Sequence, residues 1–456
     1  MTAKGGEVPA IAKILHITAH MGGGVGRTLS SITSYANNTD RKNRHKILIV
    51  ERPEKKQFID ICRANNVDVE YADGPEQAER EIADSDIIQI SWWHHPRMAE
   101  FICSFPKIPV RMVLWSHVSG CSYPELPFSF AAEFHKVFFA TEYTRDNPYW
   151  SPEQRNMISG KSEIVYGAGD LRSFSVNRPV PHEGFIVGYV GTLNYSKLNP
   201  DFAYLASLVK IPGVRFALIG DAGNKQQIIA DAMKYGIEDK LDFRGYVNDV
   251  GSELSNFDVF GYPLNPWHFG ATENAILEAM AAGVPVVAFN QAAERYLIKH
   301  METGLLAEDY EHYVQLVQYL HDNPDERRRL GRNAREFVLK EFDIGKTVRK
   351  MNDTYEQVMS MDRKIFDFTK IFGNKPYEWF LACLGADRKV FADSINGSSD
   401  ADIDKQRIEK EISNCRYILK EDSKSSVLHF ARVFPRDGHL AYWKRLIGNQ
   451  GQNAIG

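Results

Sequence analysis

The chain has 456 residues, enough for two or three domains at roughly 100–200 residues each. Hydrophobic residues at 43% and charged residues at 25% are ordinary globular composition and exclude a collagen-like, coiled-coil or wholly disordered chain. A net charge of −4 removes any global attraction to nucleic acid. Five scattered cysteines (Cys62, Cys103, Cys121, Cys383, Cys415) include no C-x-x-C pair, which argues against a disulfide framework or structural zinc and fits a reducing compartment. No apolar run approaches the ~20 residues that span a bilayer, and the N-terminal MTAKGGEVPAIAK lacks the apolar core of a secretory signal. A soluble, cytoplasmic protein is the expectation.

In chain order, compact and mostly β-branched or aromatic runs at Ile14–Thr18, Lys46–Val50, Asp86–Ile90, Val110–Trp115 and Lys136–Ala140 read as strands buried on both faces of a parallel sheet. Their alternation with helical stretches predicts a doubly wound α/β domain. The pattern pauses at Ser173–Glu183, a proline-containing linker, and then restarts. Strands are expected at Gly184–Val190, Val214–Gly220, Leu241–Gly245, Asp258–Tyr262 and Pro285–Phe289, with helices at Asp201–Lys210, Lys225–Tyr235 and Glu273–Ala282. Two α/β domains in tandem place the ligand site in the cleft between them. Pro324–Tyr355 reads as one charged helical stretch whose arginine-rich part is a solvated face.

From Met361 onward the character changes. Phe366, Phe368, Phe372, Tyr377, Trp379 and Phe380 crowd together, Ser394–Asp404 reads as a flexible loop, and Ser423–Leu446 is aromatic and basic (His429, Phe430, Arg432, Phe434, Arg436, Tyr442, Trp443, Lys444, Arg445). This tail reads as a small helical appendage on the second domain, with contact to a membrane surface or a glycan as the rival reading.

Counting excludes several standard motifs. Gly22-Gly23-Gly24-Val25-Gly26-Arg27 follows a strand and opens a helix, yet Arg27 stands where a G-x-G-x-x-G fingerprint needs glycine. Gly160-Lys161-Ser162 and Gly345-Lys346-Thr347 end like P-loops, but Arg155 and Lys340 occupy the upstream glycine position. His94-His95 has no ligand partners at metal-site spacing and reads as core or surface histidine. The triple glycine retains meaning: backbone N–H groups at a helix start approach an anion closely, and Arg27 adds positive charge. In Trp267–Ala288 a helix runs over Asn274–Ala282, with Gly283 to end it and a buried strand after it. Its N-terminus at Thr272–Asn274 suits a phosphate. Glu278, one turn in and flanked by apolar residues, is a buried carboxylate suited to a sugar or ribose diol.

This last segment resembles the nucleotide-sugar domain of retaining GT-B-fold glycosyltransferases, glycosyltransferase family 4 (glycosyl transferases group 1) in particular. The run Glu278-Ala279-Met280-Ala281-Ala282-Gly283-Val284-Pro285-Val286-Val287 matches the family's pattern from its second glutamate onward. Val190–Leu193 followed by Lys197 resembles the diphosphate loop, Leu218-Ile219-Gly220-Asp221 the Ile-Gly-x-Gly loop, and Phe243–Val247 the segment beside the nucleobase. Glu302–Leu306 resembles the late turn, Gly22–Gly24 the first domain's Gly-Gly loop, Trp115-Ser116-His117 the histidine that touches donor sugar, and Tyr166–Asp170 the Asn-Gly-x-Asp segment. The resemblance covers residues 11–355. It departs twice: the first glutamate falls on Gly270, with Glu273 or His268 as replacement, and the arginine partnering the phosphate lysine falls on Thr192, with Arg27 as replacement.

What the resemblance implies is a GT-B fold: an acceptor-side domain over 1–178, a nucleotide-sugar domain over 179–345, a helix crossing back over 346–362, and a helical extension over 363–456. It implies sugar transfer from a UDP- or GDP-sugar to a glycan or lipid-linked acceptor, with retention and without metal or cofactor. His117 would orient the donor sugar, Lys197 the diphosphate, Glu278 the ribose and Glu273 the sugar hydroxyls. Gly22, Gly23, Gly24, Arg27, Thr192, Gly270, Ala271, Thr272 and Asn274 would lie around the donor phosphates, and Gly220, Asp221, Tyr246 and Val247 beside the nucleotide. The acceptor would meet loops Trp92–Pro96 and Gly120–Pro127, with peripheral membrane contact at the inner face and no nucleic acid. A catalytically silent binding subunit and a GT-B sugar-nucleotide epimerase are the alternatives.

Overall fold

The computed structural model describes residues 11–53, 55–176, 180–221, 223–396 and 402–448. The N-terminal leader reading, the middle of the expected linker at 177–179, the loop at 397–401 and the end of the tail beyond 448 lie outside the described residues.

Two parallel sheets form two Rossmann-like layers. The first holds β1 (Ala12–Thr18), β2 (Asn43–Ile49), β3 (Asp68–Tyr71), β4 (Ile87–Trp92), β5 (Met112–Ser116), β6 (Lys136–Phe139) and β7 (Ser162–Ile164), in the order β3-β2-β1-β4-β5-β6-β7. The second holds β8 (Phe185–Val190), β9 (Val214–Ile219), β10 (Leu241–Gly245), β11 (Val259–Tyr262), β12 (Val286–Phe289) and β13 (Leu305–Ala307), in the order β10-β9-β8-β11-β12-β13. Every residue of β4, Ile-Ile-Gln-Ile-Ser-Trp, is buried, as expected of a strand covered by helices on both faces. β3, β7 and β13 are missing from the sequence-based list. They are edge strands of three or four residues, too short for an apolar run and formed because a neighbouring strand offers its ladder.

Strand order reverses at β1/β4 and at β8/β11. The loops after β1 (Ala19–Gly22) and after β8 (Gly191–Leu198) therefore sit at topological switch points, where open α/β sheets bind ligands.

The stretch Pro324–Tyr355, expected to be helical, is two helices. Pro324–Glu341 ends at Phe342, and Asp343 caps Ile344–Met359 by accepting a hydrogen bond from the Lys346 N–H. The second helix lays Ile344, Val348, Met351, Tyr355 and Val358, spaced three and four apart, into the first domain's core beside Ile14, Leu29 and Ile32. Buried polar groups there are chained: Tyr355 Oη donates to Gln89 Oε1 at 2.6 Å, Gln89 Nε2 meets His16 Nδ1 at 2.9 Å, and His16 Nε2 meets His45 Nδ1 at 2.8 Å.

The extension corrects one expectation. Its aromatic residues do not form an appendage on the second domain; they complete the core of the first. Phe366, Phe368, Phe372, Phe380, Phe391, Phe430 and Trp443 share one buried cluster with Trp92, Tyr123, Phe130 and Phe134. The reason is complementarity: β4, β5 and the helix Phe128–Glu133 present large aromatics on the sheet's outer flank, and only a second aromatic layer covers them. Lys364 pairs with Val110 as an antiparallel bridge where the extension joins that flank. The extension touches the second domain through Glu421, whose carboxylate accepts from the Ser196 N–H at 2.8 Å and the Tyr195 N–H at 3.2 Å.

Trp443 is fully buried between the rings of Phe380 and Phe391. Trp443→Ala is expected to cost about 3–5 kcal/mol and to lower the first domain's own unfolding transition in urea. A separate early transition, with the first domain's unmoved, would show that the extension folds independently.

Candidate functional site

Two helix starts from opposite domains meet across the cleft. Gly23–Tyr35 opens after β1 with no acidic residue in its first turn, and Asn274–Ala282 opens on the second domain. A Cβ on Gly24 would lie 3.7 Å from Asn274 Nδ2. Gly23 has φ +65° with open space around it, and Gly26 is pressed so close to the Met21 carbonyl that a Cβ would come within 2.1 Å. Helix N-termini carry unsatisfied N–H groups and partial positive charge, so their convergence favours negative charge between them.

At the second helix start the substitution of Gly270 finds its counterpart. A Cβ at 270 would sit 1.5 Å from Glu273 Oε1; Glu273 thus fills with its carboxylate the space that a side chain at 270 would enter. Lys197 Nζ lies 2.7 Å and Tyr262 Oη 2.8 Å from Glu273 Oε2, both donating. His268 Nδ1 is 3.6 Å from Oε1, and His268 Nε2 is 3.2 Å from Glu294 Oε1. Burial opposes ionisation of Glu273, but Lys197 and His268 hold its carboxyl below its ordinary value. Burial likewise lowers His268, while Glu294 and Glu273 raise it above its usual value. Glu273 Oε1 has no hydrogen-bond partner among the described residues.

Glu278 is 4% exposed and accepts from Arg27 Nη1 of the opposite domain. Burial raises its carboxyl above the ordinary value, and Arg27 pulls the other way. The two residues assigned separately to ribose and phosphate thus form one ion pair across the cleft. His117 follows β5 with its ring 4.5 Å from that of Trp115. Burial pushes it down to about 3, so it is neutral at physiological pH, and its Nε2 has no partner among the described residues. Asn274 Oδ1 is unpartnered in the same sense.

Thr272 is a rivet between the domains: its hydroxyl donates to the Ala140 carbonyl at 2.7 Å and accepts from the Gly167 N–H at 2.8 Å. Ala271 is buried beside it, and Thr192 is exposed. Gly220 packs against the neighbouring loop so closely that a Cβ would come within 1.9 Å of the Gly191 carbonyl. Asp221 and Tyr246 meet the first domain through Lys55, which lies 3.5 Å from the Asp221 carboxylate and 3.6 Å from the Tyr246 ring. Gln57 donates to Tyr246 Oη at 2.9 Å. Val247 rests on the second domain's core. Lys55 and Gln57 were not singled out from sequence; they belong to a polar segment after β2 with no local signal.

The loops expected to meet an acceptor are mostly enclosed. In Trp92–Pro96, Trp92 and His94 are fully buried, and His94 Nε2 lies 3.0 Å from the Trp379 carbonyl. In Gly120–Pro127, Tyr123 is fully buried and hydrogen-bonds the Ser425 carbonyl. The aromatic layer of the extension covers both loops, and Trp93 and His95 are buried as well.

Removing Arg27 leaves Glu278 a buried, unpaired carboxyl, and Arg27→Ala is expected to cost about 3 kcal/mol at neutral pH. The folded-state carboxyl would move further above its unfolded value, so the folded state binds the proton more readily. The unfolded carboxyl is the same in both proteins, so the loss should be small below the wild type's folded carboxyl value, which burial already holds above the ordinary one, and grow as pH rises through it. Thermal melts of the variant and wild type across pH 3.5–7 check the sign; a pH-independent difference would refute it.

Residues 173–337 match the family model described as Glycosyl transferases group 1. EpsD of Bacillus subtilis is 28% identical over 221 residues, 45% of this chain and 57% of that one. The N-acetyl-alpha-D-glucosaminyl L-malate synthase of Bacillus anthracis is 29% identical over 205 residues, 44% of this chain and 53% of that one. This chain spans about half the length of the curated relatives it matches. The crystal structure of HepE from Anabaena in complex with UDP-glucose superposes with a TM-score of 0.60 at 16% identity, covering 76% of this chain and 100% of HepE. Among the described residues no helix is long and apolar enough to cross a membrane. The chain has a GT-B fold, and its second domain is similar to the glycosyl transferases group 1.

Proposed function

We propose that this protein is a retaining glycosyltransferase that moves a sugar from a nucleotide diphosphate sugar, UDP- or GDP-linked, to a glycan or lipid-linked acceptor without a metal ion. The observation that carries this reading is Glu273: a buried carboxylate in the space of the missing residue-270 side chain, anchored by Lys197 and with Oε1 making no hydrogen bond among the described residues. A sugar hydroxyl satisfies that oxygen, and Lys197, whose ammonium carries three donors, reaches the diphosphate from the same anchor.

In the transfer, the bond between the anomeric carbon and the diphosphate oxygen breaks and the bond to the acceptor oxygen forms on the same face. The acceptor proton passes to the departing phosphate. Negative charge grows on that phosphate, and Lys197 together with the N–H groups at the two helix starts stabilises it in place. His117, neutral, orients the sugar through a hydrogen bond that needs no charge. Thr272 and the Arg27–Glu278 pair hold the domains closed so that water does not compete as acceptor.

A melting screen against UDP, GDP, ADP and CMP tests the donor site; a nucleotide at 100 times its Kd stabilises by about 2.7 kcal/mol. One diphosphate is expected to stabilise the wild type. Glu273→Gln and Gly270→Ala are each expected to lose ~10–100-fold in kcat/KM, or about 1.4–2.8 kcal/mol, the second by displacing the first's carboxylate. No shift with any nucleotide overturns the reading in favour of a silent subunit, and turnover without an acceptor would favour an epimerase.

A further inference from the structure

Where the extension meets the second domain lies a cavity of about 820 Å³ that the transfer above does not use. Its walls are the start of helix Phe202–Leu208, the helix Lys225–Lys234, and the extension's helix Tyr417–Lys420. Ligand sites for small molecules span ~300–1,000 Å³. The cavity shares one loop with the donor site but takes a different residue from it. Lys197 carries its ammonium to Glu273, whereas Tyr195 donates its hydroxyl to Asp231 on the helix Lys225–Lys234. Of the lining residues, none is among those proposed above for the donor.

The floor is tied down from several sides. Besides Tyr195, Asp231 accepts from Lys234 Nζ at 2.6 Å and from Gln227 Nε2 at 3.1 Å. Glu421, which holds the extension to the loop backbone, also accepts from Asn224 Nδ2. Four tyrosines stand on this frame. Tyr195 and Tyr417 pack edge to face with centroids 5.5 Å apart, and Tyr204 and Tyr235 tilt together at 5.6 Å. Three of these rings remain open to solvent: Tyr204 is 40%, Tyr235 47% and Tyr417 37% exposed.

The chemistry of the lining selects the ligand. Among the described residues it includes no Leu, Ile, Val, Met, Phe or Trp, so it lacks the apolar, charge-poor centre of a protein interface. Three carboxylates (Asp201, Asp231, Glu421) face two ammonium groups (Lys234, Lys420), which leaves no positive field to attract a phosphate. Lys420 Nζ lies 4.7 Å from the Tyr417 ring centroid, held by that ring. What remains is flat aromatic faces set among amides and carboxylates. A pyranose fits that combination: its C–H face is apolar, and its hydroxyls both donate and accept.

We propose that this cavity binds a neutral oligosaccharide, its rings stacked on Tyr204, Tyr235 and Tyr417 and its hydroxyls bonded to Asp201, Gln226 and Gln227. It is a second carbohydrate site, outside the donor cleft and completed by the extension. The site does not depend on the glycosyltransferase reading.

The test is calorimetric titration of the full chain with maltotriose, cellotriose, mannotriose and N-acetylchitotriose, with trigalacturonic acid as the anionic counterpart. At least one neutral trisaccharide is expected to bind. Tyr417→Ala and Tyr204→Ala, both at exposed rings, are each expected to weaken that binding about tenfold with the melting temperature unchanged. Tyr417→Phe keeps the ring and is expected to retain binding. Failure of every neutral trisaccharide to bind overturns the proposal. Binding that both alanine variants leave intact also overturns it, because the sugar then sits elsewhere on the chain. Trigalacturonic acid binding as tightly as the neutral sugars overturns the neutral assignment. Trisaccharide binding with no nucleotide shift defeats the glycosyltransferase reading alone, and a nucleotide shift with no trisaccharide binding defeats this proposal alone.

Discussion

Two carboxylates buried on one short helix must each be paired, because an isolated buried charge costs several kcal/mol. Glu273 finds Lys197 and Tyr262 within its own domain, whereas Glu278 finds Arg27 only on the other. The second pairing makes the closed approach of the domains a condition of electrostatic stability, and the convergence of the two helix starts follows from it. Thr272, hydrogen-bonded to Ala140 and Gly167 of the first domain, sits in the same helix start and reinforces the same contact.

The extension changes what counts as a domain here. It shares its aromatic core with the first sheet, and the helix Ile344–Met359 is likewise embedded there, so the chain leaves the first domain at the linker and returns to it for its last hundred residues. Through Glu421 the returning part also grips the backbone of Tyr195 and Ser196, in the loop that carries Lys197. The first domain and its returning part are therefore joined to the second at two places, Arg27 on Glu278 and Glu421 on the loop that carries Lys197. The same aromatic layer encloses Trp92, His94 and Tyr123.

How the Gly270 departure is resolved shows the limit of motif reading. By spacing alone, position 270 lacks the family's first glutamate. In space, the helix start folds back so that the carboxylate three residues later lies where a side chain at 270 would begin, and glycine is what makes room. Similarly, Arg27 and Glu278 are 251 residues apart and carry separate expectations in sequence, but they are one interaction.

The sequence by itself determined the two parallel α/β layers, their strand cores, and the helix starts at Gly23 and Asn274. These rest on signals internal to a segment: continuous apolar runs for doubly covered strands, glycine turns where backbone must approach, and stop signals such as Gly283. Residue type and apolar flanks also brought Glu278 forward as a candidate, whereas His117, Lys197 and Glu273 entered through the resemblance to the family's pattern. Tertiary structure alone decided the short edge strands β3, β7 and β13, the placement of the aromatic extension, the partner of each buried carboxylate, and the gathering of Tyr195, Tyr204, Tyr235 and Tyr417. Each of these depends on groups brought together from distant parts of the chain, and pairing energy between such groups leaves no trace in local periodicity.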